Sequence, residues 1–152
     1  MSNAVQFSLS EYDETIRIVL ESGGEFRIYP KGTSMLPLLR QGIDSVVLEK
    51  PKEAVRCGDI AFYQRNDGSY ILHRVIRSDN GTFTMCGDNQ LELEKGIEAR
   101  QLIGVVTRIY RGEKCVHLDS LRYRMYVFWW RSFFIRRVYF RIRRIANGSK
   151  KQ

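Results

Sequence analysis

The sequence is poor in cysteine and histidine, and each shortage removes a class of function. Its three cysteines, Cys57, Cys86 and Cys115, are odd in number and widely spaced. They form no C-x-x-C pair, which argues against both a disulfide framework and a zinc site. Reduced thiols fit a reducing compartment. Only two histidines, His73 and His117, exist to serve any metal or acid–base site, and no metal or cofactor is expected. No run reaches the ~18 uncharged apolar residues of a membrane span. The polar Met1–Ser8 segment lacks the apolar core of a secretory signal. A cytoplasmic or peripheral-membrane location is therefore expected. There is no βαβ alternation and no internal repeat.

Acidic residues are missing from one region only. Residues 120–152 carry ten basic and no acidic side chains, whereas residues 1–119 carry 15 Lys+Arg and 17 Asp+Glu. The net charge of +8 thus belongs to the tail and says little about the body. With 43% apolar and 28% charged residues, the 152-residue chain reads as one globular unit large enough for its own core.

Apolar spacing divides the chain into three parts. In residues 1–24, Ser10 reads as the cap of a first helix; Leu9, Tyr12, Ile16, Val19 and Leu20 share a face, and Gly23-Gly24 ends the pattern. In residues 25–118, short β runs are predicted at 25–30, 44–50, 59–64, 70–76, 82–86, 103–111 and 114–118. Hairpin-like turns follow at Asn66-Asp67-Gly68, Asp79-Asn80-Gly81 and Arg111-Gly112-Glu113. A mainly β fold is expected, a coiled antiparallel sheet or partly open barrel with a helix at each end.

Residues 119–152 hold the second predicted helix, from Leu121 to Ile145. Phe134, Ile135, Val138, Tyr139, Ile142 and Ile145 share one side of it; Arg136, Arg137, Arg141, Arg143 and Arg144 share the other, with Phe140 among them. Nine aromatics fall in residues 121–140. Two readings follow: the arginines meet an anionic membrane surface while the apolar side enters it, or the aromatics pack on the sheet and the arginines are solvated. No nucleic-acid recognition motif accompanies them.

Three stretches carry candidate chemistry. Lys31-Gly32-Thr33-Ser34-Met35-Leu36-Pro37 sits between two predicted strands. Pro37 suits the first position of a short helical turn, whose free N–H groups at Thr33, Ser34 and Met35 would hold an oxyanion. Ser34 reads as that turn's N-cap or as a nucleophile, which needs a base nearby. In Tyr70-Ile71-Leu72-His73-Arg74-Val75, strand alternation sets His73 on the apolar side with Ile71 and Val75. Burial there lowers its pKa and keeps it neutral, as a general base must be; the alternative is a core histidine satisfied by a carbonyl. In Gly87-Asp88-Asn89, Asp88 closes a turn or supplies the carboxylate that orients His73. Asp59 is assigned no chemistry, and His117 reads as structural or exposed.

Gly32-x-Ser34-Met35-x-Pro37, Gly58-Asp59-Ile60-Ala61-Phe62, His73-Arg74-Val75 and Gly87-Asp88-Asn89 stand in the order and spacing of the S24/S26 serine peptidases. The chain resembles that superfamily, which includes signal peptidase I and the self-cleaving LexA-like repressors, over about residues 25–111. No lysine occurs between Lys52 and Lys95, so a Ser–Lys dyad is not available. His-Arg-Val is instead similar to the histidine-dependent archaeal and endoplasmic-reticulum signal peptidases. The resemblance implies Ser34 as nucleophile, His73 as general base, and a carboxylate at Glu94 or Asp88 as the orienting acid. It also implies a precursor or signal peptide as substrate. The alternative is a non-catalytic or regulatory module that keeps the peptidase fold and binds a membrane surface or a partner protein.

Overall fold

The computed structural model describes residues 9–148, with side chains from 13 to 146. The first helix, α1 (Leu9–Glu21), starts at Leu9 rather than after Ser10; the side chains of residues 9–12 lie outside the described set, as does the tail from residue 149. Eight strands follow: β1 (Phe26–Ile28), β2 (Ser45–Glu49), β3 (Ile60–Gln64), β4 (Tyr70–Asp79), β5 (Thr82–Cys86), β6 (Glu94–Glu98), β7 (Leu102–Arg111) and β8 (Lys114–Val116). The chain then forms α2 (Leu121–Trp130) and α3 (Phe133–Gly148).

The strands make one antiparallel sheet in the order β1-β2-β7-β3-β4-β5-β6, with β8 added to β7. The end strands β1 and β6 do not pair with each other, so the sheet is open. Period-2 alternation in β3 explains its two faces. Ile60 and Phe62 join one core with Ile16, Leu20, Leu48 and Ile109, while Ala61 and Tyr63 join a second with Val75, Phe83, Met85 and Ile97. Helix α1 covers the first core through Ile16 and Leu20, each 1% exposed.

Two expectations are corrected here. The helix predicted over Leu121–Ile145 is interrupted at Arg131–Ser132. Ser120 caps α2 by accepting from the Tyr123 N–H at 3.3 Å, and α3 then starts anew. Secondly, no helical turn begins at Pro37: residues 34–38 are non-helical turn, and the Leu36–Pro37 peptide is cis. Strand β6 was not expected. Its Glu-Lys-Gly-Ile-Glu run buries only Ile97, too little for an alternating pattern to register.

Candidate active site

The Ser34 loop runs from β1 to β2 and is tied at both ends. Gly32, with φ +85°, takes a backbone conformation that a Cβ would resist, and its N–H donates to Gln41 Oε1 at 2.8 Å. At the far end, fully buried Asp44 accepts from the Arg40 N–H and guanidinium at 2.8 to 3.0 Å and from the Gly112 N–H at 2.9 Å. Burial alone would raise the Asp44 pKa; the hydrogen bonds from Arg40 and Gly112 outweigh it and hold the carboxyl below its usual range. Between these ties, Met35, Leu38 and Leu39 anchor the loop in the first core. Ser34 is left half-buried and Thr33 exposed.

A third tie fixes Ser34 itself. The Asn89 N–H donates to the Ser34 carbonyl at 2.7 Å. A Cβ on Gly87 would lie 2.6 Å from that same oxygen, so only glycine permits the approach. The Gly-Asp-Asn turn after β5 is therefore a seat for the Ser34 backbone. Among the described residues, the N–H groups of Ser34 and Met35 donate to no protein acceptor.

His73 and Ser34 line one small cleft of about 90 Å³, together with Pro30, Gly32, Met35 and Tyr70. The cleft follows the start of β4. Residues Tyr70–Arg74 pair with β3, but pairing with β5 begins only at Arg74, so Tyr70–His73 presents an edge with no strand on it among the described residues. The Ser34 hydroxyl and the His73 ring do not hydrogen-bond within the described residues; His73 Nδ1 lies 3.4 Å from Tyr63 Oη instead.

Glu94 reaches His73 through Tyr63. The Tyr63 hydroxyl donates to Glu94 Oε2 at 2.8 Å, and Arg65 clamps both Glu94 oxygens at 2.7 and 2.6 Å. With its one proton given to Glu94, the Tyr63 oxygen can only accept from Nδ1–H of His73. That contact favours the tautomer whose Nε2 is bare, and Nε2 has no partner among the described residues. Burial pushes the His73 pKa down to about 4; Glu94 opposes this, and Arg65 reinforces it. The ring is neutral at pH 7. Arg65 and Tyr63 hold Glu94 below its usual range against the upward push of burial, so it stays ionised.

Asp88 lies in different company. Alternation sends Arg74 to the sheet face opposite His73, and Arg74 grips Asp88 with two hydrogen bonds of 2.8 and 2.7 Å, both residues being fully buried. Tyr126 Oη donates to the same carboxylate at 2.8 Å, and Trp130 Nε1 donates to the Asp88 carbonyl at 2.8 Å. No hydrogen bond joins Asp88 to His73 among the described residues. The carboxylate instead fastens α2 to the sheet. Asp59 closes a turn by accepting from the Arg56 N–H at 2.8 Å, and His117 is exposed.

Arg136 also departs from expectation. Grouped by helical angle with solvated arginines, it is completely buried. It donates to the carbonyls of Trp130 at 2.5 Å, Gly87 at 2.8 Å and Gln90 at 3.1 Å, in place of the water an exposed guanidinium would bind. The tail thus converges on the turn that seats Ser34, through Tyr126, Trp130 and Arg136. Sequence reasoning also missed Tyr63 and Arg65. Alternation in β3 sets Tyr63 on the His73 side, but its partner Glu94 is 31 residues away.

Comparison of the chain with family models, curated proteins and solved structures finds no match.

Proposed function

We propose that this chain is a serine endopeptidase of the signal-peptidase type, with the fold of the signal peptidase and LexA-like superfamily. The observation that carries the proposal is a half-buried serine and a neutral, buried histidine lining one cleft beside an unpartnered strand edge. Support for the fold comes from the open antiparallel sheet and from the contact between two motif segments, Gly87–Asn89 and Ser34.

An extended peptide adds as a strand along Tyr70–His73, which brings its scissile carbonyl to Ser34. The Ser34 Oγ attacks the carbonyl carbon as its proton passes to His73 Nε2. The oxyanion is held by the Ser34 N–H and a neighbouring amide of the loop. The tetrahedral species collapses, the C–N bond breaks and His73 gives its proton to the departing amine. Water then hydrolyses the acyl-serine, again with His73 as base. Glu94, acting through Tyr63, is the better-supported acid, because the Asp88 carboxylate is occupied by Arg74 and Tyr126.

One observation favours a second reading, a peptide-binding module without catalysis: the Ser34 hydroxyl is not hydrogen-bonded to His73. A peptide library incubated with the wild type, Ser34→Ala and His73→Ala separates the two readings. Cleavage by the wild type alone supports the peptidase. Binding of extended peptides without cleavage by any of the three supports the module.

A further inference from the structure

Helix α3 is oriented the wrong way round for a helix of a water-soluble protein. Its buried side carries a charge, Arg136, while its outward side carries Phe134, Val138, Ile142 and Ile145, with Phe134 75% and Ile145 67% exposed. A surface helix ordinarily turns its apolar stripe to the core, as α1 does. Helix α2 packs aromatic side chains inward yet also leaves large apolar ones outside. Tyr126 and Trp130 face the domain, while Leu121, Met125, Phe128 and Trp129 face outward, Phe128 being 71% exposed. Eight large apolar side chains left in water on consecutive helices mark an interaction surface.

The charge around them selects the occupant. Arg122 and Arg124 on α2, Arg131 in the break after it, and Arg137, Arg141 and Arg144 on α3 are all exposed. Arg143 donates to Asn89 Oδ1 at 3.2 Å. Residues 120–152 contain no acidic side chain. A second copy docking through the same faces would set arginine against arginine with no carboxylate between them. Apolar rows bordered by arginines, with tryptophan among them, are what an interfacial helix uses against anionic lipid. We propose that the outward faces of α2 and α3 dock on the surface of an anionic bilayer, with the apolar rows entering the headgroup boundary and the six arginines meeting lipid phosphates and carboxylates. Docking of this kind is independent of peptidase activity.

The test mixes the full chain with phosphatidylcholine vesicles, with and without phosphatidylserine, and sediments them. Sedimentation is expected only with phosphatidylserine present, and added salt should weaken it. Arg137→Gln combined with Arg141→Gln, a surface change that leaves the core intact, should weaken binding by about fivefold per arginine. Phe128→Ser with Phe134→Ser should abolish it. Failure of the wild type to sediment with anionic vesicles, or equal sedimentation of the arginine variant, would overturn the proposal. So would a self-associating wild type that Phe134→Ser renders monomeric, since the face would then belong to a second copy.

Discussion

Replacing Tyr63 by phenylalanine removes one oxygen from the chain His73–Tyr63–Glu94 and nothing else. Glu94 keeps both hydrogen bonds from Arg65, so its carboxylate stays partnered. Lost are one charged hydrogen bond of 2.8 Å and a long contact of 3.4 Å to His73 Nδ1. The first has a net worth of about 1.5–3 kcal/mol; the phenylalanine ring is spared the desolvation of a hydroxyl, so the net loss of stability should be about 1 kcal/mol. The second contact biases the histidine tautomer, and at its length it is worth about 1 kcal/mol, or roughly fivefold to tenfold in kcat. A directly bonded triad acid, by contrast, changes kcat by about 10⁴ when its tautomer control is lost. Steady-state peptide cleavage by Tyr63→Phe, with thermal unfolding as the control, separates the cases. An unchanged kcat in a folded variant would remove Glu94 from the mechanism, and a fall beyond about a thousandfold would mean that Tyr63 takes part in the chemistry.

Titration of His73 should appear in stability. Its folded pKa of about 4 lies below the unfolded value of 6.5, so between those limits only the unfolded chain binds the proton. The His73 contribution is then constant above pH 7 and falls by about 3 kcal/mol as pH drops from roughly 6.5 to 4; urea unfolding of His73→Gln should lack this part of the acid loss, and an identical acid sensitivity would refute it. Asp88→Asn leaves the buried Arg74 charge without its partner, at a cost of about 3–5 kcal/mol and a Tm lowered by roughly 10 °C. A normal Tm with abolished cleavage would instead make Asp88 the acid. Gly87→Ala drives a methyl group onto the Ser34 carbonyl; kcat should fall by about 10² through misplacement of the nucleophile, and full activity would contradict the seating role.

Local chemistry was legible in the sequence, and long-range pairing was not. Strands β2, β3, β4, β5 and β7 announce themselves because each has a buried face and the turns between them hold glycine. Strand β6 does not, since one isoleucine among Glu94, Lys95, Gly96 and Glu98 produces no alternation. Ser34 and His73 could be named singly from a loop and a strand, but their sharing of a cleft depends on where pairing between β4 and β5 starts. The role of Asp88 was hidden for the same reason: Arg74 and Tyr126 lie 14 and 38 residues from it, and only the folded sheet and α2 bring them together. The periodicity of α3 separated most arginines from apolar residues by angle but put buried Arg136 with the solvated ones and Tyr139, which packs on Trp130, with the outward ones. It carried no information about which side would face the domain, and the buried side proved to be the one bearing Arg136.

The central claim is that His73 activates the Ser34 hydroxyl, and reaction of the purified chain with a fluorophosphonate, mapped by peptide mass, tests it at that atom. An adduct on Ser34 that is lost in His73→Ala is the expected result. Labelling of Ser34 that is equally fast without the imidazole, or peptide cleavage that persists in Ser34→Ala, would contradict it.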